Sequence, residues 1–413
     1  MDFVKKIIIG EGNSSKEILT SNRKSKKIFS HKIKKKFILN KKKRILEVSS
    51  SYLISEINKK LGKQNLEFPI RAGTDISIGG AISSNVHGKD SFKIGNIYHN
   101  LLSIKLKLIN NKILEIDKKN NLFNFIVSGY GLIGIILSAK FRLKDKKKFK
   151  HNIYFKIQNK IEWIKFAKKI NQYDSFVAWA KFPSKDLKII AVTNKFLNYS
   201  HKPISDKKNL FNKNIFFIFN FIFYLVNKFL NKKLTILFYN SINLLIFNFS
   251  SLFLNNSISK NNDIHDAKNI NLQILNFFKD SFEIQILIKE KDFLKYYFVI
   301  NNLFIKYNFN SFFSVIKKHK KDDSILGFSE NGFSINFSFI DKLVSDKNFN
   351  IFFDKLLNII ERKKMKIYLA KYNKNIPIKT LKKIYNIKKF INKKKKFNKN
   401  NILTNKLFEN INN

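Results

Sequence analysis

Runs of apolar residues predict short strands along the first third of the chain. The predicted strands are Val4–Ile9, Arg44–Val48, Leu101–Leu108 and Lys112–Ile116. The last two flank a pair of asparagines, which is typical of a hairpin. A helix is predicted over Ser51–Leu61, because its leucines and isoleucines recur at helical spacing. Lys24–Lys36 has no apolar period, so it is predicted to be a solvated loop.

The later part of the chain shows similar patterns with more aromatic residues. Strands are predicted at Phe282–Lys289, Ser311–Lys317 and Phe333–Phe339, and helices at Trp163–Ile170, Phe216–Leu254 and Phe352–Ile360. In Phe333–Phe339 the polar residues occupy alternate positions and therefore share one face of the strand. That face either lines a pocket or meets solvent, and the pattern leaves both open. The Phe216–Leu254 segments are expected to cover a substrate entrance or to lie against a membrane surface.

Length and charge limit the classes of function. A chain of 413 residues is long enough for two domains. Its formal net charge of +51 is spread along the whole sequence without a nucleic-acid-reading motif, so specific nucleic-acid binding is not predicted. The charge instead favours weak attraction to phosphate-bearing substrates or lipid headgroups. With no cysteine and seven scattered histidines, no metal site is expected.

The lengths of the apolar runs indicate where in the cell the protein is expected. The N-terminal apolar run is too short for a secretory signal, and no small-residue cleavage site follows it. The longest uncharged run, Asn214–Asn227, is shorter than the roughly 20 residues that a membrane span requires. We therefore expect a cytoplasmic protein, with association at the inner face of the membrane through its charge.

Residues 71–90, RAGTDISIGGAISSNVHGKD, carry the most informative motif. Thr74–Ile78 is predicted to be a strand, and Gly79 and Gly80 are predicted to form a turn after it. Backbone amides in such a turn can approach a phosphate or a flavin ring closely, because no Cβ atom blocks them. A glycine bulge between two core strands explains the same residues equally well. His87 and Lys89 follow at the exit of the turn.

Three other informative stretches lie before and after this motif in the chain. They are Gly10-Glu11-Gly12-Asn13-Ser14 after the first strand, the glycine-containing run 121–140 (NLFNFIVSGYGLIGIILSAK), and Met365–Asn373 (MKIYLAKYN). The first offers bare amides and a hydroxyl to a pyrophosphate. The second is explained on its own by close packing of a helix end on a buried strand.

Together these stretches resemble the vanillyl-alcohol-oxidase type of FAD-linked oxidases and, within that family, the decaprenylphosphoryl-β-D-ribose 2′-oxidase group. The resemblance implies an α+β fold with a two-subdomain FAD-binding domain and a substrate domain built on an antiparallel sheet with covering helices. The implied boundaries are 1–145 for the FAD-binding domain, 146–375 for the substrate domain and 376–413 for a C-terminal segment that returns to the FAD-binding domain. The family has one more strand and helix before the first loop, so the FAD-binding domain is expected to be shortened here.

The resemblance also assigns residues. Its implied FAD-binding residues are Gly10, Gly12, Asn13, Ser14, Gly73, Ser77, Ile78, Gly79, Gly80, Ser84, Asn85, Val86, His87, Ile135 and Tyr368. Asn13 stands where many relatives have a histidine bonded covalently to the flavin, so non-covalent FAD is expected. Lys371 and Tyr368 are the implied catalytic residues, with Lys371 as the cation over the flavin. The implied substrate-binding residues are Lys89, Gln285, Lys317 and Asn336.

The function implied by the resemblance is oxidation of a sugar hydroxyl, that of the 2′-carbon of a polyprenyl-phosphate-linked ribose. A partner NAD(P)-dependent reductase would complete epimerisation to arabinose. An aldonolactone or alditol oxidase of the same superfamily is an alternative, although the sequence has no C-terminal His-Trp-x-Lys element. A homologue that binds a membrane surface without turnover is a third reading.

Overall fold

The computed structural model describes residues 5–9, 19–21, 25–29, 32–71, 75–199, 256–261, 281–340, 347–371 and 376–412, with single positions between 225 and 248. The predicted loop residues Gly10, Gly12, Asn13, Ser14 and Gly73 lie outside this range. So does nearly all of the predicted helical stretch Phe216–Leu254. The chain divides into two compact units. The first comprises Met1–Lys146, His319–Asn331 and Ile360–Asn413, and the second comprises Lys147–Lys318 and Gly332–Ile359.

The first stretch of the chain forms short strands and helices of the first unit. Its strands are β1 (Lys5–Ile9), β2 (Ser25–Phe29), β3 (Phe37–Asn40), β4 (Ile45–Ser49), β5 (Leu66–Glu67), β6 (Leu101–Lys107), β7 (Ile113–Asp117), β8 (Ile135–Arg142) and β9 (Lys144–Asp145). Its helices are α1 (Ile54–Gly62), α2 (Ile78–Ser83), α3 (Ser91–Ile94), α4 (Ile97–Asn100) and α5 (Phe123–Ile126). The predicted hairpin of β6 and β7 is confirmed, with Ile104 paired to Ile116.

The second unit and the returning segment follow in the chain. The second unit's strands are β10 (Phe149–Ile157), β11 (Ser175–Phe182), β12 (Ile189–Leu197), β13 (Ser257–Lys260), β14 (Ser281–Lys289), β15 (Ser311–His319) and β16 (Gly332–Ile340). Its helices are α6 (Lys160–Lys169), α7 (Phe293–Lys306) and α8 (Lys347–Arg362). The returning segment of the structure is Ile360–Asn413 of the first unit. It carries β17 (Lys366–Ile367), α9 (Ile378–Ile384), α10 (Ile387–Phe397) and α11 (Lys406–Asn412). This mixture of helices and antiparallel sheets confirms the predicted α+β class.

A five-stranded antiparallel sheet forms the core of the first unit, in the order β3-β4-β8-β6-β7. Its alternating apolar residues are buried, among them Leu46, Val48 and Phe141. Helix α1 buries Ile57 and Leu61 because they recur on one face at helical spacing. Burial of these side chains removes apolar area from water and supplies the main stabilising free energy.

The predicted solvated loop over Lys24–Lys36 is wrong in part, because it contains strand β2. This strand pairs in parallel with β1, with Lys5 opposite Ser25 and Ile9 opposite Phe29. Lys26 and Lys27 are exposed, so the strand has no apolar period for a sequence pattern to reveal. Backbone pairing with β1 therefore forms this strand where its own side chains give no signal.

The second unit contains a sheet of seven strands in the order β13-β10-β12-β11-β15-β16-β14. Aromatic side chains on one face pack against the three helices. Phe333 contacts Trp163 of α6 and Phe293 of α7, with ring centroids 5.2 and 4.9 Å apart. Phe339 contacts Phe349 of α8 at 5.4 Å. The aromatic residues that the sequence places at alternate positions therefore form one continuous core under the helical layer.

The other face of this sheet is polar and buried. Ser334, Asn336 and Ser338 of β16 occupy it, with side chains between 0 and 7% exposed. The alternative that this predicted polar face meets solvent is therefore wrong. Across the helices that are described in either unit, none has the length and apolar composition that a membrane span requires.

Candidate functional site

The glycine motif forms the start of a short helix rather than the end of a strand. Helix α2 begins at Ile78, and the Ser77 hydroxyl caps it by accepting a hydrogen bond of 3.3 Å from the Gly80 amide. The Gly79 amide donates to the Ser50 carbonyl at 2.9 Å. Neither glycine has a positive φ. The predicted strand over Thr74–Ile78, in its described part, and the predicted turn at Gly79 and Gly80 are therefore wrong.

Close packing explains the glycine at position 79. A Cβ atom on Gly79 would lie 3.1 Å from the Ser50 Cβ atom, which is tighter than ordinary van der Waals contact. A Cβ atom on Gly80 would lie 3.2 Å from the Ser77 hydroxyl oxygen. Gly79 thus lets α2 approach Ser50 at the end of β4, while Gly80 leaves room for the Ser77 hydroxyl that caps the helix.

Two buried serines at this place have spare hydrogen-bonding capacity. Ser50 and Ser51 are 0 and 2% exposed, and their hydroxyls have no hydrogen-bond partner within the described chain. A buried hydroxyl without a partner costs free energy unless a ligand or water satisfies it. Hydroxyl groups of this kind suit the phosphate or ring oxygens of a nucleotide cofactor, since each can donate one hydrogen bond.

The residues after α2 lead to His87 through a tight backbone path. Asn85 has a φ of 48°, a left-handed conformation that asparagine adopts more readily than most residues. Its side-chain oxygen accepts a hydrogen bond of 3.1 Å from the Tyr98 amide. The Ser84 hydroxyl donates to the Gly80 carbonyl at 2.7 Å. Ser84, Asn85 and Val86 are all buried, so the path to His87 is fixed by packing and by hydrogen bonds.

His87 lies inside an aromatic cluster. Its ring centroid is 4.7 Å from that of His319, 4.9 Å from that of Tyr368 and 5.6 Å from that of Phe328. His87 is 7% exposed and His319 is 2% exposed. We call these four residues the His87 cluster. Its members come from three distant stretches of the sequence, all within the first unit.

Tyr368 connects the cluster to the backbone after α2. Its hydroxyl donates a hydrogen bond of 3.0 Å to the Ser84 carbonyl. Burial raises the pKa of Tyr368 well above its ordinary value, although the hydrogen bond with Ser84 lowers it. The phenol therefore stays protonated at neutral pH and acts as a hydrogen-bond donor. The structure thus brings together two residues that the sequence assigned to the site, His87 and Tyr368.

Asp322 is the centre of a buried hydrogen-bond network beside this cluster. Its Oδ2 atom accepts from the side-chain amides of Asn85 at 2.9 Å and Asn96 at 2.6 Å. Its Oδ1 atom accepts from the Ser324 amide at 3.0 Å and from the Ser324 hydroxyl. A buried carboxylate is stable only when its lone pairs are satisfied, and these four donors satisfy them.

Titratable groups at the edge of this network are shifted by their surroundings. Burial, with the Asp323 and Asp322 carboxylates nearby, raises the pKa of Tyr98 to about 12. The Tyr98 hydroxyl donates to the Asn124 side chain at 2.9 Å. Burial lowers the pKa of His99, against the opposing effect of Asp322. His99 therefore favours its neutral form and its Nε2 atom donates to the Lys321 carbonyl at 2.9 Å.

A second group of charges holds the turn that follows His87. Lys144 pairs with Asp90 and with Glu67, each at 3.1 Å, and Arg71 donates two hydrogen bonds to Glu67 at 2.8 and 3.0 Å. Gly88 is required in this turn, because a Cβ atom there would lie 2.6 Å from the Arg71 carbonyl oxygen. Lys89 is half-buried within the same turn.

The remaining predicted residues fall in two places. In the first unit, Ile135 begins β8 opposite Lys107, and the Lys371 amide donates to the Tyr368 carbonyl at 3.0 Å in a bend. In the second unit, the Gln285 amide donates to the Ser334 hydroxyl at 3.0 Å, and the Asn336 amide donates to Glu283 at 2.9 Å.

Lys317 shares the polar face of that sheet. Its neighbour Lys318 lies on the aromatic face, with its ammonium group 5.5 Å from the Phe333 ring centroid. Because successive side chains in a strand point to opposite faces, Lys317 lies on the same face as Gln285 and Asn336. The structure therefore groups these three predicted substrate-binding residues.

The sequence analysis missed His319, Asp322 and Phe328, which all lie in the segment 319–331. Two features of the sequence signal this segment. Asp322-Asp323-Ser324 is a composition typical of a turn, and Gly327 follows it. A Cβ atom on Gly327 would lie 2.6 Å from Asp322 Oδ1 and 2.3 Å from Ser324 Oγ, so the network excludes a larger residue. Among the residues with described positions, no group of three or more histidine, aspartate or glutamate side chains could hold a metal ion.

Residues 8–117 match a protein family described as the FAD binding domain. The chain therefore contains an FAD-binding domain, and this domain supports FAD as its cofactor. Two curated relatives align over shorter stretches. The chain is 29% identical to the decaprenylphosphoryl-β-D-ribose oxidase of Mycolicibacterium smegmatis over 100 residues, which are 23% of this chain and 22% of that protein. It is 27% identical over 77 residues, 18% of this chain and 21% of the relative, to an uncharacterised protein from the mprA 5′ region of Streptomyces coelicolor.

The matched stretch contains part of the site described above. The chain aligns with about a fifth of the length of each relative, as the shares of 22% and 21% state. The buried hydroxyls of Ser50 and Ser51 and the packed glycines of α2 all lie inside residues 8–117. These donors fit FAD, which presents phosphate and ring acceptors to the protein.

Proposed function

We propose that this protein is an FAD-dependent oxidoreductase acting on the CH–OH group of a sugar, the 2′-hydroxyl of a polyprenyl-phosphate-linked ribose. The FAD-binding domain match over residues 8–117 and the alignment with a decaprenylphosphoryl-ribose oxidase support the proposal. The observation that carries it is the contact of His87 with Tyr368, with ring centroids 4.9 Å apart. It joins the end of the FAD-binding motif to the segment that bears Lys371.

The proposed roles in the first unit follow from hydrogen-bonding capacity and charge. Ser50 and Ser51 donate hydrogen bonds to FAD, because their buried hydroxyls have no other partner within the described residues. His87 packs beside the ring system, and Tyr368 keeps it in place through ring contact. When bound, FAD accepts the hydride from the carbinol carbon, which is chemistry that the protein does not supply itself. Non-covalent binding of FAD is part of the proposal, on the basis of Asn13.

Lys371 is the proposed catalytic cation. Its ammonium group would hydrogen-bond the substrate hydroxyl and stabilise the negative charge that develops during oxidation. The Lys371 amide donates a hydrogen bond to the carbonyl of Tyr368, the residue that contacts His87, and this closes a bend between the two residues. Two residues, Leu369 and Ala370, thus separate the proposed cation from Tyr368 of the His87 cluster.

The polar sheet face of the second unit is the proposed binding surface for the sugar phosphate. Lys317 provides a mobile point charge that suits a phosphate group. Gln285 and Asn336 offer amide groups that can both donate and accept hydrogen bonds with sugar hydroxyls. Lys89 is a further proposed substrate-binding residue, in the first unit. The buried Asn336 Oδ1 atom has no hydrogen-bond partner within the described residues, so it is available to accept from a sugar hydroxyl.

The proposed partners follow from the reaction. Oxidation of the 2′-hydroxyl gives a keto sugar, and an NAD(P)-dependent reductase would reduce it to the epimer. The lipid carrier places the substrate at a membrane, and the net charge of +51 favours association with its anionic inner surface. A cytoplasmic protein that associates peripherally with the membrane fits this arrangement.

The experiment begins with colour and proceeds to substrate. Purified protein should show flavin absorption bands near about 370 and 450 nm, and acid precipitation should release all of the flavin into solution. The holoprotein is then mixed anaerobically with prenyl-phospho-ribose, prenyl-phospho-arabinose, an aldonolactone and an alditol. Bleaching at about 450 nm by the ribose derivative supports the proposal. Bleaching by the lactone or alditol alone would favour the small-sugar oxidase, and a colourless protein would favour a binding homologue without turnover.

A further inference from the structure

We propose that Asp322 is a positioning residue of the flavin site, which fixes the imidazole of His87 by holding Asn85 and Asn96 on either side of it. This inference rests on the proposed function, since it concerns the orientation of a residue placed beside FAD. It assigns a role to segment 319–331, which the FAD-binding motif does not include. The segment joins β15 to β16 in the sequence and packs within the first unit.

The first step is the pair of hydrogen bonds to a single oxygen atom. Asn85 precedes His87 by two residues and Asn96 follows it by nine, and both donate to Asp322 Oδ2, at 2.9 and 2.6 Å. Each amide has a second acceptor in the same segment, Ser324 Oγ at 3.3 Å for Asn85 and Ser329 Oγ at 3.2 Å for Asn96. The two ends of the stretch that contains His87 are therefore tied to one short segment.

The second step is that the tie reaches the backbone at His87. The left-handed φ of 48° at Asn85 sets the direction of the chain into Val86 and His87. The Val86 carbonyl accepts a hydrogen bond of 3.2 Å from the Ile97 amide, next to Asn96. A change at the Asn85 side chain is thus transmitted to His87 along the backbone through Val86. A change at the Asn96 side chain is transmitted through the hydrogen bond between the Ile97 amide and the Val86 carbonyl.

The third step is that the same segment also contacts the imidazole ring. His319 and Phe328 both pack against it, with centroids 4.7 and 5.6 Å from that of His87, and they also contact each other at 5.3 Å. Other contacts hold the segment in register, since the Ile325 amide donates to the Asn124 carbonyl at 2.9 Å. Asp322 thereby fixes the His87 ring by holding the backbone that carries His87. His319 and Phe328, from the same segment as Asp322, fix the ring by packing against it.

A carboxylate is the group that this arrangement requires. All four contacts of Asp322 are with donors, two at each oxygen atom. An asparagine of the same shape would present an NH₂ group to two donors and would lose both hydrogen bonds at that atom. The substitution Asp322→Asn therefore changes the hydrogen bonding while it keeps side-chain volume almost constant.

The test compares Asp322→Asn with a matched control, Asp323→Asn. The control is the adjacent aspartate, exposed to solvent, so the chemical change is the same. Three properties of each holoprotein are measured: FAD content, visible circular dichroism of the bound flavin, and flavin reduction by prenyl-phospho-ribose over a range of concentrations. The circular dichroism signal reports the surroundings of the flavin ring and needs no substrate.

We expect Asp322→Asn to keep its FAD but to change the visible circular dichroism spectrum. Its limiting rate of flavin reduction should fall by about 10- to 100-fold, the scale for a misplaced site group, while the half-saturating substrate concentration stays near wild type. Asp323→Asn should match the wild type in all three properties. A spectrum and rate equal to those of the control would overturn the proposal, as would a rate loss that is fully explained by loss of FAD.

A milder variant covers the case in which Asp322→Asn does not fold. Ser324→Ala removes the hydroxyl that bonds both Asp322 and Asn85, and it leaves the Ser324 amide in place. The expected result is a smaller change of the circular dichroism spectrum with FAD retained, and an unchanged spectrum would overturn the proposal. If the wild-type holoprotein is reduced by no sugar in the panel, the proposed function fails, while the spectra still test the positioning role.

Discussion

The Tyr368 hydroxyl donates a hydrogen bond of 3.0 Å to the backbone carbonyl of Ser84, although 284 residues separate the two in sequence. This bond joins the returning segment of the first unit to the residues that follow helix α2. It also sets the Tyr368 ring against His87. The contact between two motifs that were each identified from the sequence is therefore mediated by a specific donor and acceptor, and it can be removed by a single atom change.

Tyr368→Phe removes this donor and keeps the aromatic ring. The buried Ser84 carbonyl then loses its partner, so we expect the free energy of unfolding to fall by about 1–3 kcal/mol. Urea unfolding followed by circular dichroism measures it. Tyr307→Phe is the control, because Tyr307 is half-buried and belongs to the second unit, and its effect should stay within about 0.5 kcal/mol. Equal effects of the two variants would contradict the role given to the hydroxyl.

Lys371→Ala tests the proposed catalytic cation. Because the side chain is half-buried at a bend, its loss should leave folding and FAD content close to normal. The rate of substrate-driven flavin reduction should fall by at least about 100-fold, the scale for loss of a positioned charge-stabilising or proton-transferring group. Lys371→Arg should not restore the rate, since a planar guanidinium does not occupy the place of a compact ammonium group.

The control for Lys371 separates its role from the general positive charge. Lys382 is exposed on helix α9 of the same unit, so Lys382→Ala should leave flavin reduction nearly unchanged. Stopped-flow absorbance at about 450 nm measures both variants under anaerobic conditions. A similar loss for the two lysines would mean that overall basicity supports the reaction and that the assignment of Lys371 is wrong.

The sequence predicted elements well where one side of an element is buried. The strands that hold the pairs Ile104–Ile116 and Gln285–Asn336 were predicted from their apolar pattern, while the register of these pairs came only from the structure. Strand β2 was not predicted, because its lysines are exposed and its stability comes from pairing with β1. Gly79 and Gly80 were predicted to form a turn, but they lie in helix α2. The motif gives only the residue types, while the φ angles that distinguish a turn from a helix depend on packing against Ser50.

The candidate site was predicted in part. His87 and Tyr368 were found because each lies in a motif with neighbouring residues of recognisable type. His319 and Asp322 were not found, since their role depends on the meeting of segments that are more than 200 residues apart, as the separation of 237 residues between Asn85 and Asp322 illustrates. A lone histidine or aspartate carries no such information in a single sequence.

Gly79→Val tests the packing of helix α2 against the serines that we propose to bind FAD. A Cβ atom at position 79 would already lie 3.1 Å from the Ser50 Cβ atom, and the two methyl groups of valine add further crowding. Displacement of Ser50 should weaken FAD binding by tenfold or more, which corresponds to at least about 1.4 kcal/mol. Titration of apoprotein with FAD, followed by quenching of flavin fluorescence, measures the affinity.

Gly62→Val is the matched control for this change. A Cβ atom on Gly62 would approach only the end of the flexible Lys146 side chain, at 3.2 Å, and that side chain can move aside. FAD affinity should therefore stay close to wild type. If Gly79→Val binds FAD as tightly as the control does, the close approach of α2 to β4 serves packing alone and Ser50 does not hold the cofactor.

Two buried tyrosines should respond to the loss of their hydroxyls in opposite ways. The Tyr297 hydroxyl has no hydrogen-bond partner in the described part of the chain, whereas the Tyr385 hydroxyl donates to the Ile367 carbonyl. Tyr297→Phe should be neutral or stabilise the protein by up to about 1 kcal/mol, because an unsatisfied polar group is removed. Tyr385→Phe should cost about 1–3 kcal/mol, because a buried carbonyl loses its donor.

The pH dependence of unfolding gives an independent check on the same residues. Burial raises the pKa of both Tyr297 and Tyr385 far above the value of about 10 in an unfolded chain. Above that value the unfolded state loses a proton that the folded state keeps, so the stability from each buried phenol is complete below pH 10 and is lost as the pH rises. Each phenol should therefore contribute a decrease of about 1 kcal/mol per pH unit above pH 10. Urea unfolding at pH 8, 10 and 11 should show a smaller decrease in the free energy of unfolding for either phenylalanine variant than for the wild type. An equal decrease in all three proteins would show that these hydroxyls are ionised or solvated in the folded state.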